Sequence, residues 1–244
     1  MKAIQRIRNI SRYGFGREAR LRKQAEKARL RLEQFYRSDN WQVGTEFAQR
    51  RYSSYEDYVE HQKSKLAKIV HRLRENEDED FAEFKRRFET CPALREARSV
   101  LCLGARLGTE VRALHALGYF AVGIDLNPGA DNQYVLPGDF HHVVFPDGSV
   151  DAIYTNAMDH VLSVEKVVSE ISRLLRPGGL FVADLVLGYD EGFIPGEFEA
   201  THWRSRQEFI GQIAELGGFR VETVRDLGLT RRDLWTQAVF RKPA

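Results

Sequence analysis

The segment Ser99-Val100-Leu101-Cys102-Leu103-Gly104-Ala105-Arg106-Leu107-Gly108-Thr109-Glu110, with Asp125 17 residues beyond Gly108 in Val122-Gly123-Ile124-Asp125-Leu126, constrains the fold most. An apolar run closed by glycine reads as a buried parallel strand. Its carboxyl end opens into a tight turn that feeds a helix, and the first N–H groups of that helix face a crevice. The second apolar run reads as the neighbouring strand. The acid at its end is placed to accept hydrogen bonds from both hydroxyls of a ribose. An adenosine-bearing ligand fits such a crevice, but these residues alone do not separate a nicotinamide dinucleotide from S-adenosylmethionine.

From Arg98 onward, strand-like and helix-like patterns alternate, which predicts a doubly wound α/β sheet. Strands are expected at Ser99 to Leu103, Ala121 to Asp125, Gln133 to Pro137, Val150 to Thr155, Leu180 to Leu187, Phe219 to Asp226 and Leu234 to Arg241. Helices are expected at Thr109 to Leu117, Ser163 to Leu175 and Ser205 to Leu216. The last opens on the capping box Ser205-Arg206-Gln207-Glu208 and closes at Gly217-Gly218.

Two further stretches narrow the ligand. They are Gly138-Asp139-Phe140-His141-His142-Val143-Val144-Phe145-Pro146-Asp147-Gly148-Ser149-Val150-Asp151 and Leu174-Leu175-Arg176-Pro177-Gly178-Gly179-Leu180. With the first turn, they resemble the class I S-adenosylmethionine-dependent methyltransferases, and in style the type-11-like group, over about residues 98 to 240. The resemblance implies a seven-stranded, mostly parallel Rossmann-like sheet and S-adenosylmethionine as cofactor. It implies Gly104, Ala105, Arg106 and Gly108 in the cofactor turn, Asp125 on the ribose diol and Leu126 as one adenine wall. Asp139 would hold the adenine amino group, Phe140 would pack its ring, and Asn156 would stand at the edge where the transferred methyl points. Two positions depart from the family pattern: Cys102 replaces the motif acid, and Arg106 replaces the middle glycine. That arginine could pair with the methionine carboxylate.

Methyl transfer needs alignment of donor and acceptor, and a hydroxyl acceptor also needs a base. Asp159, His160, His142 and His202 are the candidates, because histidine titrates near neutrality; the sequence does not choose among them. The stretch Asn156-Ala157-Met158-Asp159 lacks the Pro-Pro-aromatic sequence usual in enzymes that methylate exocyclic base nitrogens, and no cysteine is placed for pyrimidine-carbon methylation. A nucleic-acid acceptor is therefore disfavoured. The expected activity is O-methylation of a small-molecule or glycan-type acceptor. A non-catalytic cofactor-binding module and a nicotinamide-dependent oxidoreductase stand as alternatives.

At 244 residues and 43% hydrophobic content, the chain can bury one α/β core and carry an appendage. Residues 96–244 are read as the methyltransferase domain and residues 1–95 as a mainly helical extension. Apolar residues recur at helical spacing over residues 18–36, over Tyr55, Val59, Gln62, Leu66, Ile69 and Leu73, and over Phe81, Phe84 and Phe88. Arg37 to Trp41 reads as a turn, and Glu75 to Asp80 as an acidic connector or helix start. The aromatic stripe is expected to pack on the catalytic domain. Residues 1–30 hold ten Lys and Arg against Glu18 and Glu26, a net +8, in a chain whose net charge is only +2. Such an arm suits an anionic surface, although a solvated helix face or an organellar transit segment is also compatible with it. No apolar run reaches 18 residues and no secretory signal pattern is present, so a soluble, cytoplasmic protein without a transmembrane segment is expected. Cys91 and Cys102 stand apart from any metal-ligand spacing; both are read as reduced and non-catalytic, and no metal is expected.

Overall fold

The structure, a computed structural model, describes residues 30, 40–44, 47–230 and 233–244. The basic segment 1–30 and the helix read over residues 18–36 fall outside these, apart from Leu30. The described chain begins with two short strands, β1 (Trp41–Val43) and β2 (Phe47–Arg50), followed by helices α1 (Tyr55–Glu75) and α2 (Glu77–Glu89). Ser54 caps α1, its side chain accepting from the Asp57 N–H at 3.1 Å. Glu77, Asp78, Glu79 and Asp80 fill the first turn of α2 and Arg86 and Arg87 its last, so the acidic run complements the helix dipole and mostly belongs to the helix itself.

The large sheet contains β3 (Ser99–Leu103), β4 (Phe120–Asp125), β5 (Val135–Pro137), β6 (Val150–Thr155), β7 (Leu175–Val186), β9 (Arg220–Thr230) and β10 (Asp233–Arg241). Its order is β5-β4-β3-β6-β7-β10-β9, and only β10 runs against its neighbours. This is the expected doubly wound, mostly parallel sheet. Helices α3 (Thr109–Ala116), α4 (Val164–Leu174) and α5 (Arg206–Gly217) follow β3, β6 and the short strand β8 (Thr201–Trp203). Ser205 accepts from the Glu208 N–H at 3.2 Å, and Gly218 ends α5 in the left-handed region, as the capping residues predict.

Side chains that alternate along the strands feed two apolar layers. Leu101, Ile153 and Phe181 pack with α4 and α5, while Val100, Tyr154 and Val182 pack with α2 and α3. Phe84 and Phe88 stand edge-on to Tyr154, with ring centroids 6.2 and 4.8 Å away, so the aromatic stripe of α2 is core packing. Beneath it lies a closed polar network. Arg87 reaches Asp184 of β7 at 2.9 Å, and that carboxylate also accepts from the Tyr154 hydroxyl at 2.8 Å and the Gln237 amide at 2.9 Å. All its oxygens are partnered, as a buried charge requires.

One element differs from the sequence reading. Trp41, read as part of a turn, lies in β1, and β1, β2 and β8 form a separate antiparallel sheet in which Phe47 pairs with Trp203. Burial explains it: Trp41, Phe47, Ala48 and Trp203 are all buried, and Phe47 and Trp203 both pack on Phe209 of α5. Strands of three and four residues gain little locally and form here through a partner more than 150 positions away.

Candidate functional site

A narrow cleft opens at the carboxyl ends of β3 and β4. It lies by the point where strand order reverses between β3 and β6, where open α/β sheets place their ligands. Gly104, Arg106, Asp125, Leu126 and Phe140 line it from the sheet side, and Tyr58, Gln62, Lys65 and Leu66 of α1 line it from above. Ala157 and His160, from the loop after β6, close one end.

The turn after β3 is built around close approach. Gly104 has φ +73°, and a Cβ there would fall 2.7 Å from that of Ala157. Glycine therefore keeps the cleft open between the first turn and the loop after β6. Arg106 occupies φ +45°, the left-handed backbone that explains why glycine is usual at this position. Gly108, at φ +81°, caps α3. Ala105 is buried, facing the place where Gly123 lacks a side chain. Asp125 stabilises the arrangement: one carboxylate oxygen accepts from the Arg106 N–H at 2.9 Å, the other from the Asn127 N–H at 2.8 Å.

Asp139 borders this region but is engaged by its own chain. Its Oδ1 accepts from the His141 N–H at 2.8 Å and from His141 Nδ1 at 2.9 Å, while Oδ2 accepts from the Tyr55 hydroxyl. His141 Nε2 in turn accepts from the Leu162 and Ser163 N–H groups, which fixes the tautomer with its proton on Nδ1. Burial opposes ionisation of Asp139, but hydrogen bonds from His141 and Tyr55 outweigh it and hold the carboxyl below its ordinary range. Asn156 is half-buried at the end of β6 and is not part of the cleft lining.

The four candidate bases separate. His142 is exposed, and its N–H bonds the Asp139 carbonyl outside the cleft lining. His202 is buried in β8 with its ring against Tyr189 and Phe193, and burial lowers its pKa to about 3. Only His160 lines the cleft, with Asp159 directly beside it. His160 donates from Nδ1 to the Phe198 carbonyl at 2.9 Å, and its Nε2 lies 2.6 Å from Lys65 Nζ. Burial, then Lys65 and Arg106, push the imidazole pKa well down, so the ring is neutral. Burial, then the charge of Arg106, also brings Lys65 down to about 7, whereas burial and Glu199 raise Asp159. Asp159, His160 and Glu199 bring ligand-type atoms within 4.8 Å of one another, but Lys65 Nζ already occupies the side of His160 Nε2.

Sequence reasoning missed Lys65 and His141. Tyr58, Gln62 and Lys65 fall at i, i+4 and i+7 of α1, one helix face, and Gln62 in the apolar stripe was the signal that this face is not simply core.

Residues 101–183 match the family model described as a methyltransferase domain. A sterol 24-C-methyltransferase of Pneumocystis carinii is 32% identical over 133 residues, covering 46% of this chain and 35% of that protein. Another from Gibberella zeae is 47% identical over 53 residues, covering 21% of this chain and 14% of that protein. The chain thus matches about a third or less of the length of these curated relatives. Among solved structures, a Burkholderia thailandensis 1,6-didemethyltoxoflavin-N1-methyltransferase with bound S-adenosylhomocysteine superimposes with a TM-score of 0.64. The match covers 83% of this chain and 98% of that one at 13% identity, a likeness of fold. Over residues 101–183, about a third of its length, the chain is similar to the methyltransferase-domain family.

Proposed function

We propose that this chain is an S-adenosylmethionine-dependent methyltransferase acting at oxygen on a small-molecule or glycan-type acceptor. One observation supports the reading: a single cleft is lined by Gly104 and Arg106 of the turn after β3, by Asp125, and by the Lys65–His160 pair.

When bound, S-adenosylmethionine supplies a methyl group on a positively charged sulfur. Asp125 would receive the two ribose hydroxyls, since its oxygens each accept only one backbone N–H and a carboxylate offers about four acceptor sites. Leu126 and Phe140 would flank the adenine. Asp139 has one acceptor site left on Oδ2, beside the Tyr55 hydroxyl, for the adenine amino group. Arg106 would face the methionine carboxylate. Tyr58, Gln62 and Leu66 would orient the acceptor from α1, the part of the cleft lining that lies outside residues 101–183. The acceptors of the sterol relatives do not carry over, because the aligned stretches leave most of those proteins uncovered.

Titration calorimetry with S-adenosylmethionine, S-adenosylhomocysteine and NAD tests the reading. Binding of both sulfur ligands without NAD is expected, followed by transfer of labelled methyl into hydroxylated acceptors. NAD binding in their place would replace the reading with an oxidoreductase. Cofactor binding without transfer to any acceptor would favour the non-catalytic module.

A further inference from the structure

We infer that Lys65 is the general base that takes the proton from the acceptor, that His160 is its positioning residue, and that the acceptor group is a phenolic or enolic hydroxyl. The inference rests on the methyl-transfer reading above.

The geometry assigns different duties to the two side chains. His160 has no nitrogen left for a substrate, because Nδ1 donates to the Phe198 carbonyl and Nε2 receives a hydrogen bond from Lys65 Nζ at 2.6 Å. The Phe198 carbonyl is itself fixed from α1, accepting from the Gln62 amide at 2.8 Å. Lys65, by contrast, uses one N–H on His160 and lines the cleft. A neutral amine in that position has a lone pair left for the acceptor. The titratable groups that face it come from every surrounding element. They are Arg106 after β3, Asp125 at the end of β4, Asp159 and His160 after β6, and Glu199 before β8. Burial and Arg106 favour the neutral amine, the acids favour the ammonium, and the balance falls near neutrality.

The step balances simply. The acceptor O–H bond breaks and its proton goes to Lys65 Nζ, making an ammonium. An oxygen electron pair forms the new C–O bond to the transferred methyl, and the C–S pair stays on sulfur as a neutral thioether. The proton then leaves to solvent through the cleft mouth. Such a base suits an acidic hydroxyl: phenols lie near pKa 10, about a thousandfold from this amine, whereas alkanols lie far above. Tyr58 and Leu66 of α1 give the cleft an apolar wall for a flat acceptor ring, apart from the Leu126 and Phe140 pair assigned to the adenine.

A test that needs no acceptor follows from charge. The sulfonium of S-adenosylmethionine would bring a positive charge into the cleft that Lys65 lines, and S-adenosylhomocysteine would not. Calorimetry at pH 7 in buffers of different ionisation enthalpy should therefore show S-adenosylmethionine releasing a fraction of a proton more than S-adenosylhomocysteine. In Lys65→Met that difference should vanish, with homocysteine-product affinity within a few fold of wild type. Lys65→Arg, which keeps a donor to His160 but holds its proton, should lose the difference as well. Equal proton counts for the two ligands in the wild type, or a difference that survives both substitutions, would overturn the assignment. Proton uptake with both ligands would overturn it too, making Lys65 a clamp on the methionine carboxylate. Failure of both ligands to bind would instead sink the cofactor reading itself.

Discussion

Replacing Asp125 by alanine is the sharpest test of how the cleft holds a nucleoside. In the structure each carboxylate oxygen keeps one backbone donor, Arg106 N at 2.9 Å and Asn127 N at 2.8 Å, so one further site per oxygen remains for a ribose hydroxyl. Hydrogen bonds to a charged group are worth about 1.5 to 3 kcal/mol each. Water entering the vacated space recovers part of two such bonds, leaving a net loss of about 1.4 to 2.8 kcal/mol, tenfold to a hundredfold in Kd. Asp125 also supports the turn, and the assay must separate the two effects. Calorimetry with adenosine and 2′-deoxyadenosine on both proteins does so. Wild type should prefer adenosine, and Asp125→Ala should lose most of that preference while binding the deoxy ligand nearly as before. If the substitution weakens both ligands by the same factor, Asp125 acts through the turn and the ribose assignment fails.

Arg106→Ala keeps a side chain at the same left-handed backbone position and so isolates the guanidinium; it should weaken S-adenosylmethionine while sparing adenosine, and equal losses for both would refute a carboxylate contact. Asp184→Ala leaves Arg87 with Glu83 but takes the acceptor from the buried Tyr154 hydroxyl and Gln237 amide, and calorimetric melting should show a loss of about 1 to 3 kcal/mol for each donor left unsatisfied. At roughly 2 to 4 °C per kcal/mol, an unchanged Tm would refute that reading of the network. Asp151 is pulled down to about 2 because, against the cost of burial, the Arg98 and Ser99 N–H groups and Arg176 favour its charged form. Its stabilisation is therefore present above the unfolded value near 4 and is lost as pH falls toward 2, so Asp151→Asn should flatten the acid limb of a stability–pH curve over that interval. Residues 1–30 should confer binding to anionic vesicles at low salt that is lost at high salt; identical binding by the shortened chain would refute the docking role.

The parallel-sheet half of this chain was legible because its signals are local. A strand that ends in glycine, an acid 17 positions later, and the capping box at Ser205 are short-range signals, and each stands where expected. The acceptor side was not legible, because it is assembled from distant parts. Lys65 reads as one more charge on a solvated helix until His160, 95 positions on, is set against it. The two histidines of the His141-His142 pair look alike in sequence, yet the backbone buries the first against Asp139 and exposes the second. His202 looked reactive only while its neighbours were unknown; Tyr189 and Phe193 make it part of a packed layer.

The pairing of β2 with β8 has a consequence for how the molecule is made. Phe47 meets Trp203, so the edge of β2 waits for 156 further residues to leave the ribosome. At 5 to 20 residues per second that wait lasts roughly 8 to 30 s. Throughout it, the roof that carries Lys65 lacks the Phe198 and Glu199 wall against which it is built. Nascent chains that stall before residue 203 therefore expose an unpaired strand edge beside Trp41 and Phe47. These are the species that chaperones would have to shield, and the wall facing Lys65 would form only once residue 203 has emerged.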